Sequence, residues 1–226
     1  MPPVRLFSTL AVKAALEVSV LPTFGAPVDS TFDPTSMLAE RIRAGEPFDV
    51  IIATEDFLAN LANGGAVATP VPLVATGIGL AVLTGAPWPD ISSLPALRTA
   101  LCEARSVAYS RAGASGIYFA SLIEKLGIAD AVNARATILP KGFTGEAVVD
   151  GRADLAVQQT SELTAVDGVE LVGELPPEAQ CLTRFSAALA SSPTHPERAA
   201  ALVRHLASPG ALAAYPRYGL MAAVRP

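Results

Sequence analysis

Residues 106–127 read SVAYSRAGASGIYFASLIEKLG, and this stretch decides the fold. Ser106–Tyr109 is a short apolar run that predicts a buried strand, and a polar turn follows it over Ser110–Gly116. Ile117–Leu126 then has the apolar spacing of a helix, which Gly127 is suited to end. A strand followed at once by a helix predicts one βα unit of a parallel sheet.

The same order of strand and helix recurs outward in both directions. Further strands followed by turns and helices are predicted at Val4–Phe7, Val28–Phe32, Phe48–Ile52 and Ala136–Leu139. A strand with a polar exit is predicted at Asp154–Val157. A long apolar strand at Leu73–Leu83 separates the two runs of βα units, and a strand at Thr183–Ala190 follows the second run. The chain is therefore predicted to be an α/β protein with two lobes.

Each lobe is predicted to be a mostly parallel sheet flanked by helices. Residues 1–81 and 182–226 are assigned to lobe 1, and residues 82–181 to lobe 2. Two chain crossings would join the lobes, and a ligand cleft is expected between them.

Composition excludes several classes of function. The 226 residues include 16 Lys and Arg against 21 Asp and Glu, which argues against nucleic-acid binding because that function needs a basic face. Hydrophobic residues make up 51% of the chain, enough to bury a core. Two cysteines and two histidines exclude a disulfide scaffold and leave little material for zinc sites or histidine-based triads. No metal or cofactor is predicted.

The N-terminus shows no targeting segment, because Val4–Phe7 reads as a strand of the fold directly after Met1-Pro2-Pro3. The expectation is a cytoplasmic protein as the sequence is written, or a periplasmic one if the N-terminus is truncated.

Polar residues collect where the predicted strands end. The candidate ligand-binding residues at these exits are Ser8, Thr9, Thr35, Ser36, Arg111, Ser115, Gly116, Lys141 and Gln159. The carboxyl ends of parallel strands share one edge of a sheet, and helix N-termini there present free N–H groups. Hydroxyls, amides and two cations at this edge predict an anion site. No carboxylate lies among them, so no acid–base pair is predicted.

Each candidate also has a purely structural interpretation. The serines and threonines are ordinary residues for helix N-caps, and Gln159 is a reasonable hydrogen-bonded edge amide. Arg111 and Lys141 suit a solvated surface position and a turn, respectively. Tyr118, at the start of its helix, is predicted with equal weight to be core or pocket wall.

Several stretches together are typical of one family. They are LFSTLA at 6–11, SMLAERI at 36–42, GEPFDVII at 45–52, ASGIY at 114–118, EKLGI at 124–128 and YGL at 218–220. In these stretches the chain resembles the molybdate-binding-protein family of ABC-transporter solute-binding proteins over nearly its full length. The resemblance implies a type II periplasmic-binding-protein fold, whose two lobes close on a ligand about a hinge.

The resemblance also implies an oxyanion held by hydrogen bonds alone. Ser115 and Gly116 match the helix start of the second lobe, and Thr35-Ser36 matches a serine-rich loop of the first. The family's tyrosine falls on Gln159 in this chain.

A second ligand position also differs from the family pattern. Its first-lobe serine falls on Ala11, with Ser8 and Thr9 as neighbouring substitutes. Arg111 adds a charge, and an arginine with the amide of Gln159 suits a planar carboxylate better than a tetrahedral dianion.

The favoured interpretation is a solute-binding protein that captures a small anion, an organic carboxylate or an oxyanion, and not strictly molybdate. Its predicted partners are that small anionic ligand and, if the chain is exported, a membrane component of an ABC transporter; a monomer is expected. One alternative is a cytoplasmic isomerase or lyase of the same fold. In that enzyme Arg111 would orient a substrate carboxylate, and Ser115, Tyr118 or Lys141 would handle a proton. A third interpretation is a ligand sensor or carrier.

Overall fold

The computed structural model describes residues 2–223, which divide into two compact units. Unit 1 contains the described residues up to Ala75 and from Thr183 onward, and unit 2 is the continuous segment Thr76–Leu182. The predicted boundary after residue 81 falls inside a strand of unit 2, Ile78–Leu83. The apolar run from 73 to 83 forms two strands, and each belongs to the sheet of a different unit.

The sheet of unit 1 is mixed. Strands are numbered along the whole chain, and those of unit 1 are β1 (Val4–Ser8), β2 (Val28–Phe32), β3 (Val50–Thr54), β4 (Val71–Thr76), β10 (Thr183–Leu189) and β11 (Met221–Ala222). Their order across the sheet is β11-β4-β10-β3-β1-β2. β1 pairs in parallel with β2 and β3, whereas β10 is antiparallel to β3 and β11 is antiparallel to β4.

Helices cover both faces of this sheet. They are α2 (Thr35–Arg43), α3 (Glu55–Asn63), α9 (Pro196–Leu206) and α10 (Pro209–Ala214). The predicted first helix is irregular: a 3-10 turn at Leu10–Val12, the short α1 (Lys13–Ala15), a π turn at Leu16–Val20 and a 3-10 turn at Leu21–Thr23 follow one another. No helix in the described part of the chain has the length and apolarity that a membrane crossing requires.

Alternating side chains of the central strands place a core on each face of the sheet. Leu6 and Ile52 belong to one buried cluster, and their neighbours Phe7 and Ile51 belong to the other. Because both faces are buried, β3 reads as a nearly continuous apolar run, as is typical of strands in parallel sheets.

Unit 2 is built on its own mixed sheet. Its strands are β5 (Ile78–Leu83), β6 (Val107–Ser110), β7 (Thr137–Leu139), β8 (Leu155–Gln159) and β9 (Val169–Glu174), in the order β7-β6-β8-β5-β9. β6 is parallel to β7 and β8, and β5 is antiparallel to β8 and β9. β8 extends two residues beyond the predicted Asp154–Val157, so Gln158 and Gln159 lie within the strand.

The helices of unit 2 are α4 (Leu94–Glu103), α5 (Ala114–Lys125), α6 (Ala129–Asn133), α7 (Gly145–Val149) and α8 (Thr160–Leu163). One face of the sheet carries Ala81, Ala108 and Ala156 side by side on β5, β6 and β8, in a cluster with Ala147 and Val148 of α7. Small side chains here leave room for α7 to pack close to the strands.

Candidate functional site

The carboxyl ends of three parallel strands meet at one edge of the unit 1 sheet. Ser8, the last residue of β1, pairs with Phe32 at the end of β2 and with Ile52 on β3. The backbone N–H of Asp33 donates to the Ser8 carbonyl at 3.1 Å, which ties the turn before α2 to this edge. The four unit 1 candidates therefore lie close together, as the sequence predicts.

Thr9 carries the most informative hydroxyl of unit 1. Its backbone N–H donates to the Ile52 carbonyl at 3.1 Å, and the residue is 4% exposed. Its Oγ1 is buried and has no hydrogen-bond partner among residues 2–223. Thr9 precedes the first 3-10 turn without capping it through its side chain. A buried unpaired hydroxyl costs about 1–3 kcal/mol, so this group calls for a ligand or a water molecule.

Thr35 and Ser36 open α2 at the same edge. The Thr35 hydroxyl accepts a hydrogen bond from the backbone N–H of Thr54, the residue before α3, at 3.4 Å. Two helices of nine residues thus begin beside Ser8 and Thr9. Helix N-termini favour an anion through their free N–H groups and dipole.

In unit 2, α5 begins against the end of β6. A Cβ atom on Gly116 would lie 1.5 Å from the Ser110 carbonyl oxygen, so only glycine allows this approach. Ser115, beside it in the first turn, is 3% exposed. The Ser110 hydroxyl accepts from the backbone N–H of Ala112 at 3.2 Å, which shapes the turn between strand and helix.

Arg111 lies in that turn and is exposed. Its guanidinium donates to the Tyr109 hydroxyl at 3.5 Å, and that hydroxyl donates to Asn133 Oδ1 at 2.6 Å. The guanidinium is thus held beside β6 by one long hydrogen bond. Its contact with a ligand stays a prediction.

Tyr118 is half-buried and packs against the apolar core of unit 2, as does Cys181. Burial raises the pKa of the Tyr118 phenol, and the neighbouring Cys181 adds to the effect. Of the two roles predicted for Tyr118, core or pocket wall, these contacts favour a core residue.

The turn after β7 carries Lys141 and is fastened by Gln158. Gln158 Oε1 accepts from the backbone N–H of Thr144 at 2.7 Å and from its hydroxyl at 3.0 Å. Gln158 Nε2 donates to the Gly142 carbonyl at 3.0 Å. One buried amide therefore sets the path of the segment 141–144.

Gln159 ends β8, is 2% exposed, and precedes the short helix α8. Two neighbours in α8 stand out chemically. Ser161 Oγ is buried without a hydrogen-bond partner in the described range. Glu162 is 8% exposed, and burial raises its pKa to about 8 against the opposing effect of hydrogen bonds from the Gln159 backbone and the Gln158 side chain.

Sequence reasoning missed Gln158, Thr144 and Glu162. The sequence pattern ends the strand at Val157, which leaves the sheet face of the Gln158 side chain undefined, whereas in the structure Gln158 lies within β8. Glu162 carried a signal that could have found it: a Glu three positions after an N-cap residue commonly reaches back to the N-cap N–H. Gln159 is that N-cap residue.

A cavity of about 560 Å³ lies in unit 2, away from these residues. Arg105 and Asp154 line it, and they precede the amino ends of β6 and β8. Trp88, the single tryptophan, lines it as well. Within unit 2, the cavity is thus at the sheet edge opposite to the predicted anion-binding residues of that unit.

Comparison with known proteins places the chain among binding proteins. Residues 24–221 match the family described as bacterial extracellular solute-binding protein. The chain is also 36% identical over 213 residues to an aconitate isomerase from a Pseudomonas species, a match that covers 93% of this chain and 78% of that protein.

Solved structures share the fold at low sequence identity. The periplasmic molybdate-binding protein of Azotobacter vinelandii superposes with a TM-score of 0.78 at 16% identity, covering 99% of both chains. The sulfate-binding protein of Mycobacterium tuberculosis gives a TM-score of 0.75 at 16% identity, over 97% of this chain and 86% of that one. The predicted two-lobe periplasmic-binding-protein fold and the resemblance to the molybdate-binding family are confirmed.

Proposed function

Because this chain belongs to the family of bacterial extracellular solute-binding proteins, we propose that it captures a small organic carboxylate. The ligand would be held by hydroxyl and N–H donors at the carboxyl ends of the parallel strands. The observation that carries the proposal is the pair of buried hydroxyls without partners in residues 2–223, Thr9 Oγ1 in unit 1 and Ser161 Oγ in unit 2. Thr9 directly follows β1, and Ser161 is the second residue after β8. Sheets of this class bind ligands at these strand ends.

Two observations support a carboxylate over a tetrahedral oxyanion. Arg111 and Gln159 supply a guanidinium and an amide, which suit planar carboxylate groups. The relative that is 36% identical is named for aconitate, which is a tricarboxylate. If the protein is exported, we propose that it delivers this ligand to a membrane component of an ABC transporter.

Calorimetric titration of the full chain tests the proposal. The probes are trans-aconitate, citrate, succinate, molybdate and sulfate, and the variants are Thr9→Val for unit 1 and Ser161→Ala for unit 2. A hydrogen bond to a charged group contributes about 1.5–3 kcal/mol, so each variant should bind the best carboxylate at least about tenfold more weakly.

Ser30→Ala is the matched control. Ser30 Oγ is also buried without a partner in the described residues, but it lies in the middle of β2 and not at its end. Its removal should leave the affinity unchanged. Unaltered binding in both Thr9→Val and Ser161→Ala, or a preference for molybdate over every carboxylate, would contradict the proposal.

A second candidate function is isomerisation of a small carboxylate, which the similarity to an aconitate isomerase favours. Arg111 would orient a substrate carboxylate. Ser115, Tyr118 or Lys141 would handle a proton, and burial keeps the Tyr118 phenol protonated and hence a donor.

Proton NMR in D2O separates the two functions. Incubation with trans-aconitate should give the cis isomer, and deuterium in the carbon-bound positions, if the protein is an isomerase. If trans-aconitate binds but its NMR signals show no conversion, capture remains the function.

A further inference from the structure

Glu162 is a buried carboxyl group that has no cation partner among the described residues. Three carboxyl side chains in the described part of the chain are buried: Asp33, Asp49 and Glu162. Asp33 is 2.8 Å from Arg41 Nε, and Asp49 is 3.2 Å from an Arg5 guanidinium nitrogen. Glu162 forms no ion pair within residues 2–223. An ionised carboxylate in such a place is costly unless it is paired, so this group keeps its proton instead.

In the part of the chain that the structure describes, no charged group acts on the Glu162 carboxyl to offset this cost. Its helix α8 packs against β5, β8 and β9. β5 and β8 contain no charged residue, and the two charged residues of β9, Glu170 and Glu174, are carboxylates, which cannot offset a further negative charge. Glu170 accepts from the Trp88 indole N–H at 3.2 Å, and Glu174 accepts from Gln180 Nε2 at 3.4 Å. The hydrogen bonds to Glu162 come from uncharged amides, the Gln159 backbone and the Gln158 side chain.

These two amides connect Glu162 to the candidate site. Gln158 is the residue that fastens Gly142 and Thr144, and thereby the turn that carries Lys141. Gln159 is itself a candidate ligand contact. A change in the charge of Glu162 therefore reaches the turn at 141–144 through a single side chain, that of Gln158.

We propose that Glu162 is a protonated positioning residue of the anion site, and that loss of its proton releases the 141–144 turn and weakens anion binding. The effect on anion affinity rests on the function proposed above. The coupling of Glu162 to Thr144 through Gln158 does not depend on that function. Deprotonation would add a buried negative charge to the unit that binds the anion and would draw the Gln158 amide toward the carboxylate. Affinity should then fall as the pH rises through about 8.

The first test needs no ligand. Nitrogen-15 NMR of the full chain between pH 6 and pH 9.5 follows the Thr144 backbone amide and the Gln158 side-chain amide. Both should shift with a common midpoint near 8 in the wild type and stay constant in Glu162→Gln, which keeps the shape and the acceptor oxygen. Glu146→Gln is the matched control, because Glu146 is exposed on α7 and its loss should leave the titration intact. A flat wild-type profile, or a titration that survives in Glu162→Gln, overturns the proposal.

The second test measures the dissociation constants of trans-aconitate and sulfate at pH 6 and pH 9. The wild type should bind at least tenfold more weakly at pH 9, and Glu162→Gln should bind equally at both values. If the dissociation constants of the wild type and Glu162→Gln depend equally on pH, Glu162 does not control the site, and the proposed anion capture is unaffected. If neither anion binds at either pH, the proposed capture of these anions fails, and the NMR titration still decides whether Glu162 controls the turn.

Discussion

The two units bury carboxyl groups in opposite ways. In unit 1, Asp49 stays ionised because it is surrounded by donors: the Arg5 guanidinium and the backbone N–H groups of Arg5 and Thr194. Burial alone would raise the pKa of Asp49, but these hydrogen bonds outweigh it and hold the pKa at about 2. In unit 2, Glu162 is surrounded by amides, and its pKa rises to about 8. Burial alone therefore does not decide the charge of a carboxyl group; the donors around it do.

The comparison has a consequence for stability. A carboxyl with a lowered pKa stabilises the fold above its ordinary pKa, and that contribution disappears in acid. A carboxyl with a raised pKa does the reverse, since the unfolded chain loses its proton first. The two units are thus expected to respond to pH with opposite sign.

The largest expected effect is the pH dependence that Glu162 gives to unit 2. Its pKa rises from 4.5 in the unfolded chain to about 8 in the folded one, so stability should fall as pH rises between these values. At about 1.4 kcal/mol for each pKa unit, the loss is roughly 4–5 kcal/mol. Urea unfolding monitored by Trp88, the single tryptophan and a residue of unit 2, measures it at pH 5, 7 and 8.5. Glu162→Gln should remove the slope; the same slope in both proteins would contradict the assignment.

A smaller effect is expected from Arg5→Met, which leaves the buried Asp49 without its cation. Breaking a buried ion pair by removal of one partner costs about 3–5 kcal/mol. We expect about 3 kcal/mol, the lower end of that range, because two backbone N–H donors stay on Asp49. Hydrogen exchange of the Ile51 and Ile52 amides, in the central strand β3, measures this decrease in the free energy of unfolding at pH 7.

The control for this substitution is Arg152→Met in unit 2. The Arg152–Asp150 pair, at 3.0 Å, has side chains that are 50% and 59% exposed. Exposed pairs of this kind contribute less than about 1 kcal/mol. If Arg152→Met destabilises its unit as much as Arg5→Met does, burial is not what distinguishes the Arg5–Asp49 pair.

The smallest expected effect is the acid sensitivity of unit 1. The pKa of Asp49 falls from 3.8 to about 2 on folding, so its contribution is present above pH 3.8 and is lost as pH falls through 2. That contribution is roughly 2–3 kcal/mol. In an acid titration monitored by circular dichroism, the wild type should unfold at a lower pH than Asp49→Asn. The variant should be less stable than the wild type at pH 6, and its stability should lack the part of the pH dependence between 3.8 and 2 that comes from Asp49. Parallel acid profiles for the two proteins would exclude Asp49 as the source.

Much of the fold was predictable because its signals are local. The strand, turn and helix over residues 106–127 are each indicated by neighbouring residues, and β6 and α5 form there. The sequence predicts one strand over 73–83, whereas the structure has two, because the apolar character of the run fits both. Only pairing with distant partners divides it: β4 pairs with β11, and β5 with β8 and β9.

The position of the candidate site was predictable from the sequence, but its hydrogen bonds were not. Ser8, Thr9, Thr35 and Ser36 lie together because parallel strands end at a common edge. The hydrogen bonds between Gln158 and Thr144 depend on the sheet face that Gln158 occupies. The sequence places the end of this strand two residues too early, so these hydrogen bonds could not be predicted. Whether the Thr9 hydroxyl finds a partner depends on packing from distant parts of the chain, which no local pattern records.

The strand order of unit 1 also bears on how the protein is made. β10, from the C-terminal part of the chain, lies between β4 and β3 in the finished sheet. During synthesis the ribosome completes all of unit 2, the continuous segment Thr76–Leu182, before β10 emerges. Until then the β4 and β3 edges that β10 will join have no partner, whereas unit 2 already has all its strands. Unit 1 is therefore the first unit to be started and the last to be completed. Until β10 is synthesised, its unpaired strand edges are exposed to mispairing and aggregation.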